Sequence, residues 1–342
     1  MTTIFEKEIR SQGSVLRQRC AQGVEQSERG AGLWRGEITH ALVAARGSSD
    51  NAAMFFQYLA GCELGLLVAF ATPSLYREPS PMRLDGAGVL AISQSGQSPD
   101  IVEVLRHARE QGRPRLAMTN DPRSPLAHEA EVVLELFAGV EQSIAATKTF
   151  SATCHALAQL VASLKGDPLD GLDALPDVLD QIAPWALDLE MPDHLLNAHQ
   201  GLTVVGRGMG YAAASEISLK IREVAGVRSE TYAAPDILHG PIGAEGQGAT
   251  LWLLLTDEVT DADAINLLSK AKASGLSTLV LRPESRTSLG ADGEIVVPIT
   301  IANWAFALAA VVVGQVAALR LGEFRGRPID SPPGLSKVTR TS

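Results

Sequence analysis

The chain has 342 residues, which at roughly 150 residues per domain predicts about two domains. Its 29 basic and 39 acidic residues give a net charge of −10, and 46% of its residues are apolar. This composition excludes a disordered chain, which combines low hydrophobicity with high charge. It also argues against a nucleic-acid partner, because phosphate backbones require clustered Lys and Arg.

The cysteines and the apolar segments indicate in which cellular compartment the protein resides. Cys20, Cys62 and Cys154 are far apart and form no Cys-x-x-Cys pair, so neither a disulfide framework nor a zinc site is predicted. The first residues mix charges of both signs and lack the apolar segment of a secretory signal. The longest apolar stretch, 304–314, has 11 residues. Because a bilayer span needs about 20, this stretch predicts a buried helix, and we expect a cytoplasmic protein without a membrane partner.

The elements predicted in chain order are those of an α/β fold. Residues 1–27 have the apolar spacing of one amphipathic helix. From residue 39 an apolar run, a Gly-Ser break and a helical run predict a strand, a loop and a helix. The same unit recurs with a strand at 89–93 and a helix at 100–111, followed by a strand at 115–119, a short helix and a fourth strand. This alternation predicts a parallel sheet covered by helices on both faces.

The second half of the chain is similar to the first. The segment LVAARG at 42–47 matches TVVGRG at 203–208, an offset of 161, and a strand, a loop and a helix follow in both halves. We therefore predict two copies of one α/β unit. The predicted limits are 28–165 and 196–330 for the two domains, 166–195 for a proline-marked linker and 331–342 for an extended tail.

A hydroxyl-rich loop, SQSGQSPD at 93–100, joins a predicted strand to a predicted helix. Free backbone N–H groups at a helix N-terminus favour an anion, and ligands bind at the carboxyl ends of parallel strands. The alternative is that Ser98 or Asp100 only caps the helix. A companion loop, Ser48 and Ser49 after Gly47, favours a phosphate site. Neither a P-loop lysine nor a GxGxxG motif is present, which disfavours nucleotides.

Three further segments carry charged or titratable side chains. Glu216, Lys220 and Glu223 have i,i+4 and i,i+3 spacing and share one face of a predicted amphipathic helix; the alternative is a solvated stripe of ion pairs. His239 lies in a loop marked by Pro and Gly, and the alternative for it is plain exposure. Lys337 is the one lysine of the tail, where the alternative is a solvent-exposed side chain without a role.

In this order, these segments resemble the sugar isomerase (SIS) superfamily. The similarity is to the isomerase half of glutamine:fructose-6-phosphate amidotransferase and to stand-alone SIS-type glucosamine-6-phosphate deaminases, and it extends from about residue 28 to the end. It implies two tandem SIS domains, each a parallel sheet flanked by helices in a flavodoxin-like αβα sandwich. SQSGQS resembles the family's phosphate-binding motif, EISLKIRE its proton-transfer helix, YAAPDILHGP its ring-opening segment and GLSKVT its C-terminal tail.

The resemblance implies a role for each matched residue. Glu223 is implied as the base that transfers the proton, with Lys220 beside it. His239 is implied as the residue that opens the sugar ring, reaching across from a neighbouring subunit, and Lys337 as the lysine of a tail over the site. The implied substrate and phosphate contacts are Ser48, Ser49, Ser93, Gln94, Ser95, Ser98, Ile144 and Ala146.

Two departures from the amidotransferase pattern are visible. Ala146, in SIAATKTF, stands where the amidotransferase has a serine that helps to hold the sugar, and Arg46 replaces a small residue before the first loop. Both fit the stand-alone relatives better. We also expect no counterpart of the glutaminase domain, which begins with a nucleophilic cysteine, because Cys20 lies inside the predicted leading helix.

The resemblance therefore implies a glucosamine-6-phosphate deaminase/isomerase that yields fructose 6-phosphate and ammonia. It implies no metal and no organic cofactor, a small sugar phosphate as ligand, and a homodimer. Within the same class, the alternatives are a deaminase or deglycase acting on galactosamine 6-phosphate or a 6-phosphofructose-amine. The alternative from another class is a non-catalytic sugar-phosphate-binding regulator, which would have no need of Glu223, His239 and Lys337 together.

Overall fold

The computed structural model describes residues 2–77, 82–198, 200–256 and 259–337. Its contacts divide the chain into two compact units, each built on one sheet. The first-sheet unit comprises residues 12–141, 148–176 and, of the described tail, 336–337. The second-sheet unit comprises 2–11, 142–147 and 177–335.

The first-sheet unit is a five-stranded parallel sheet in the order β2-β1-β3-β4-β5. Its strands are β1 His40–Ala44, β2 Leu67–Phe70, β3 Ala87–Ile92, β4 Arg115–Thr119 and β5 Val132–Glu135. Its helices are α2 Gln12–Trp34, α3 Ser48–Leu64, α4 Pro99–Glu110, α5 Pro125–Glu129 and α6 Lys148–Lys165, with a 3₁₀ turn at Pro73–Arg77. Every residue of β3 is buried, as expected for a central parallel strand covered on both faces. Helices α2 and α3 both pack on α6, and α4 packs on α5.

The second-sheet unit is also a five-stranded parallel sheet, in the order β7-β6-β8-β9-β10. Its strands are β6 Leu202–Gly206, β7 Ser229–Ala233, β8 Thr250–Leu254, β9 Ser277–Pro283 and β10 Gly293–Val297. Its helices are α1 Ile4–Arg10, α7 Leu175–Asp188 apart from its first two residues, α8 Asp193–Leu196, α9 Met209–Lys220, α10 Ala234–Ile237, α11 Asp261–Ala273 and α12 Asn303–Phe324. A π-helical turn at Ile221–Ala225 extends α9, and a 3₁₀ turn lies at Pro241–Ala244. Numbered from the start of each sheet, both strand orders read 2-1-3-4-5, the order of flavodoxin-like folds.

The amino-terminal segment differs from the single helix predicted over 1–27. The structure has two helices, α1 and α2, because Ser11 ends α1: its backbone N–H and its hydroxyl both donate to the carbonyl of Glu8, at 3.3 and 2.9 Å. At the other end of α1, the carboxylate of Asp330 accepts from the N–H groups of Ile4 and Phe5, at 2.9 and 3.1 Å. Helix α1 therefore belongs to the second-sheet unit, whereas α2 belongs to the first-sheet unit.

The segment between the sheets is more ordered than the linker predicted at 166–195, because it contains α7 and α8. The predicted limits 28–165 and 196–330 each enclose one complete sheet. As limits of domains they stay predictions, since grouping by contact divides the chain into interleaved segments.

The apolar stretch at 304–314 lies inside α12, as the sequence predicts. Helix α12 is long and apolar enough to cross a membrane, yet 94% of its most apolar window is buried. It packs against α9, the π-helical turn and α1. Its apolar surface is thus the core of the second-sheet unit.

Candidate active site

The hydroxyl-rich loop at 93–98 connects β3 to α4 at the carboxyl end of the first sheet. The hydroxyl oxygens of Ser93 and Ser98 are 3.4 Å apart. Ser98 occupies the N-cap position of α4, but its side chain makes no capping hydrogen bond. Capping is therefore not what the Ser98 hydroxyl does, and it faces Ser93 at the amino terminus of a 12-residue helix, where an anion is favoured.

This loop is fixed from the side of the neighbouring strand. The carbonyl of Gln94 accepts from the N–H of Asn120 at 3.0 Å and from the hydroxyl of Thr119 at 3.2 Å. The carbonyl of Gly96 accepts from the N–H of Leu126 at 3.2 Å. These hydrogen bonds fix the shape of the loop, and preorganisation of this kind reduces the entropic cost of binding.

The companion loop after β1 lies beside the first one, because β1 and β3 are adjacent strands with Ala44 opposite Ala91. Gly47 is the N-cap of α3, and the half-buried Ser48 and Ser49 form the first turn of that helix. The amino termini of α3 and α4 therefore both lie at the carboxyl ends of central strands, where open α/β sheets bind ligands.

A cavity of about 620 Å³ opens against the hydroxyl-rich loop within the first-sheet unit. Its wall is formed by Gln18, Gln94, Ser95, Gln97, Asn120, Asp121, Glu135, Phe137, Gly139, Val140, Glu141 and Lys337. Two residues of the predicted phosphate loop, Gln94 and Ser95, thus share a cavity with the predicted tail lysine. Residues 338–342 of the predicted tail lie outside the described residues.

Lys337 is held in this cavity by an ion pair. Its Nζ lies 2.6 Å from Oε2 of Glu141, whose side chain is fully buried. Thr149 donates to the same carboxylate from its backbone N–H at 3.1 Å and from its hydroxyl at 2.7 Å. The alternative of a fully solvent-exposed Lys337 is therefore wrong, because the Lys337 side chain is only 26% exposed; its role at the site stays a prediction. Glu141 was missed from the sequence, because a pairing across 196 positions leaves no local pattern.

A second group of charged residues ends α9 in the second-sheet unit. Lys220 Nζ lies 3.4 Å from Oε1 of Glu216 and donates to Oε2 of Glu223. The side chains of Glu216 and Lys220 are 0% and 1% exposed, so the alternative of a solvated ion-pair stripe is wrong. The amphipathic helix predicted here is instead buried on almost all sides, since α9 packs on β6, β7 and α12.

Only Glu223 among these three can be reached from solvent, with its side chain 25% exposed. It lies in the π-helical turn Ile221–Ala225, just after the last residue of α9. Single π-helical turns are rare and occur frequently at functional sites. The arrangement offers one reachable carboxylate beside one buried ammonium group, which is suited to moving a proton.

The remaining predicted site residues lie in the second-sheet unit. His239 is exposed in the turn after α10, and no hydrogen bond or ion pair of its side chain is found within the described part of the chain. Ile144 and Ala146 are half-buried in the 142–147 segment. The buried carboxylate of Glu8 fixes the start of that segment by accepting from the N–H groups of Gln142 and Ser143, at 2.6 and 3.1 Å. Across residues 2–77, 82–198, 200–256 and 259–337, no group of three or more His, Cys, Asp or Glu could hold a metal ion.

Comparison with known proteins gives this geometry a context. A family model described as SIS domain matches residues 37–163, which contain the first sheet and the hydroxyl-rich loop. The glutamine–fructose-6-phosphate aminotransferase (isomerizing) of Symbiobacterium thermophilum is 31% identical over 310 residues, covering 87% of this chain and 51% of that protein. The chain spans about half the length of the curated relatives it matches.

Solved structures with the same fold cover nearly all of the chain. A proposed phosphosugar isomerase from Silicibacter pomeroyi superposes with a TM-score of 0.84 at 29% identity, over 96% of this chain and 99% of that one. The glucosamine-6-phosphate deaminase of Thermotoga maritima superposes with a TM-score of 0.81 over 99% and 100% of the two chains; its 20% identity shows the fold alone. Together these similarities show that residues 37–163 belong to the SIS domain family, and that the chain is related to proteins named as isomerizing aminotransferases and phosphosugar isomerases.

Proposed function

We propose that this chain isomerises and deaminates glucosamine 6-phosphate, yielding fructose 6-phosphate and ammonia. The observation that carries the proposal is the placement of Glu223, the one solvent-reachable carboxylate beside the buried ammonium group of Lys220. The curated relative from Symbiobacterium thermophilum is named for fructose 6-phosphate, and the structure from Thermotoga maritima for deamination of glucosamine 6-phosphate. Both names support the same substrate class.

The chemistry needs a proton donor for ring opening and a base for proton transfer. His239 gives a proton to the ring oxygen as the C1 hydroxyl loses its own, which opens the sugar to an aldehyde. Glu223 then takes the proton from C2 and returns it to C1, while the C1 oxygen gains a proton and the amine nitrogen loses one. C1 thereby becomes a hydroxymethyl group and the amine-bearing C2 a ketimine. Water adds at C2, the C–N bond breaks, and ammonia leaves with fructose 6-phosphate as the other product.

The other predicted residues bind and position the substrate. The phosphate rests on the hydroxyl-rich loop through Ser93, Gln94, Ser95 and Ser98, with Ser48 and Ser49 close to the sugar. Ile144 and Ala146 contact the sugar, and Lys337 lies over it from the tail. Support for the phosphate site comes from the Ser93 and Ser98 hydroxyls, which face each other without capping the helix, and from the two helix amino termini.

The assembly is part of the same proposal. We infer two tandem SIS domains, supported by the identical strand order of the two sheets. A cytoplasmic homodimer in which His239 serves the partner's substrate accounts for an exposed imidazole with no polar partner in the described part of its own chain. Sedimentation equilibrium tests the dimer: a monomer at micromolar concentration would contradict it.

Ammonia release tests the proposed reaction. Purified protein is incubated with glucosamine 6-phosphate, galactosamine 6-phosphate and a 6-phosphofructose-amine, and ammonia is measured by a coupled dehydrogenase. We expect the highest kcat/KM with glucosamine 6-phosphate. A higher kcat/KM with one of the other two compounds would make that compound the substrate. Release of no ammonia from any of the three would contradict the deaminase activity.

A further inference from the structure

Arg46 precedes the first-sheet loop with Ser48 and Ser49, and its side chain reaches the neighbouring loop. Its Nε and Nη2 both donate to Oδ2 of Asp100, at 3.0 and 2.8 Å. The other oxygen of that carboxylate, Oδ1, accepts from the N–H of Ile101 at 3.1 Å. The side chain of Asp100 is 4% exposed, whereas that of Arg46 is 56% exposed. A pair 54 positions apart in sequence thus joins the two loops.

The position of this pair matters for an anion at the loops. Asp100 is the second residue of α4, directly after Ser98 and Pro99, so its negative charge lies next to the hydroxyls proposed to hold the phosphate. Asp50 lies in the first turn of α3 beside the companion loop. Burial raises the pKa of the Asp50 carboxyl, and the Arg46 guanidinium opposes that rise. Among residues 46–50 and 93–100, Arg46 is the one basic residue facing these two acids.

We propose that Arg46 is a positioning residue for phosphate binding: it neutralises Asp100 and fixes the loop with Ser48 and Ser49 against the loop at 93–98. This inference rests on the proposed function, in which both loops bind the sugar phosphate. Two N–H groups on one carboxylate oxygen form a strong, charge-assisted contact. Without Arg46, a buried carboxylate would face a phosphate dianion, and juxtaposed like charges weaken binding.

Calorimetric titration with inorganic phosphate and with fructose 6-phosphate tests this role in the full chain. We expect Arg46→Gln to weaken both ligands about tenfold, because the Asp100 carboxylate then loses the positive charge of the Arg46 guanidinium. The double variant Arg46→Gln/Asp100→Asn removes that charge, and we expect its affinity to return to within about threefold of wild type. The matched control is the exposed pair Arg83 and Asp85 in the same unit, in which Nη2 of Arg83 lies 2.8 Å from Oδ2 of Asp85. The variants Arg83→Gln and Arg83→Gln/Asp85→Asn should bind phosphate as wild type does.

The outcomes separate this role from the proposed function. If wild type binds no phosphate, the phosphate site itself is wrong, and the inference falls with it. If wild type binds phosphate but Arg46→Gln binds equally well, or if Asp100→Asn restores nothing, the positioning role alone is wrong. In steady-state assays Arg46→Gln should raise KM with little change in kcat, whereas general damage to the fold would lower kcat. Should Arg46→Gln fail to fold, Arg46→Lys replaces it; it keeps the charge but loses the two-donor contact, and we expect about a threefold weakening that Asp100→Asn again removes.

Discussion

The two sheet units share one framework and differ in the side chains at its carboxyl end. Gly47 and Gly208 cap α3 and α9 with nearly the same backbone angles, φ 58° and ψ −129° against φ 57° and ψ −131°. Yet Gly47 leads into two serines, and Gly208 into Met209 and Gly210. After β3 the chain reads SQSGQS, whereas after β8 it reads LTDEVTD at 255–261, with three acidic residues. In sequence, the segment after β3 is therefore rich in hydroxyl groups, whereas the segment after β8 is rich in carboxylates.

The second unit differs from the first in the charged residues at the carboxyl end of α9, the helix that begins after Gly208. Helix α3 ends at Gly65 in the left-handed conformation, whereas α9 continues into the π-helical turn that carries Glu223. The buried Lys220 lies at this junction. Shared topology thus says little about function, which depends on the side chains placed on it.

Among the variants that distinguish the two units, Glu223→Gln is expected to have the largest effect, a loss of kcat. An amide cannot accept the C2 proton, so kcat should fall about a thousandfold, within the usual range for losing a general base. Phosphate affinity, which we assign to the first unit, should not change. Glu230→Gln is the control, because Glu230 is an exposed carboxylate in β7 that accepts from the Tyr232 hydroxyl at 2.8 Å. A Glu223→Gln enzyme with wild-type kcat would show that the second unit's charge cluster is not catalytic.

The next effect concerns stability. Lys220→Met leaves the fully buried carboxylate of Glu216 without the ammonium group beside it. Breaking a buried ion pair from one side costs about 3–5 kcal/mol, so the free energy of unfolding in urea should drop by that amount. Adding Glu216→Gln should recover part of the loss. Lys272→Met is the control in the same unit, since the Lys272–Asp292 pair is well exposed and should contribute far less. Equal losses of unfolding free energy in Lys220→Met and Lys272→Met would contradict the burial of the ion pair between Glu216 and Lys220.

The two glycines test whether the shared framework is equally strained in both units. Alanine at Gly47 or Gly208 must adopt a backbone conformation that side chains rarely tolerate, and each variant should lose about 1–3 kcal/mol of unfolding free energy. Only Gly47→Ala should also weaken inorganic phosphate binding, because Ser48 and Ser49 follow it. A Gly208→Ala protein that binds phosphate as poorly as the Gly47→Ala protein would contradict the assignment of phosphate binding to the first unit.

The smallest effect is a dependence of stability on pH in the first unit. Burial, with a smaller contribution from the charge of Arg19, lowers the pKa of His155 to about 3. Because the unfolded chain takes up this proton near the ordinary histidine pKa of about 6.5, stability should fall as pH drops from about 6.5 toward 3. Urea midpoints from pH 7 to 5 should therefore decline less steeply for His155→Gln than for wild type. The exposed His128→Gln should keep the wild-type slope, and an unchanged slope in His155→Gln would show that His155 is not the cause.

Sequence patterns were sufficient for elements that combine length with burial. The strand expected at 115–119 matches β4, and the helix expected at 100–111 matches α4 within one residue. The edge strand β2 was missed because four residues, two of them exposed, show neither a buried run nor alternation. The break at Ser11 was missed because it depends on hydrogen bonds that the apolar spacing does not reveal.

Residue type and spacing selected the hydroxyl loop, Lys220, Glu223 and Lys337 as candidates, but did not predict which residues surround them. Whether Lys220 is solvated or buried depends on what α9 packs against, and the spacing of Glu216, Lys220 and Glu223 is the same in both cases. For Asp100 the sequence offered capping of the helix only as an alternative, and it did not predict the pairing with Arg46 that the structure shows. Such long-range pairs are visible only in three dimensions.

The most direct test of the central claim follows the reacting carbon itself. Glucosamine 6-phosphate labelled with ¹³C at C2 is incubated with wild-type protein and, separately, with Glu223→Gln, and ¹³C NMR is recorded over time. We expect the wild-type sample to move the C2 signal from the amine-bearing carbon to that of fructose 6-phosphate, while the Glu223→Gln sample stays unchanged. A C2 signal that stays in place with wild type, or moves equally fast with both proteins, would contradict proton transfer by Glu223.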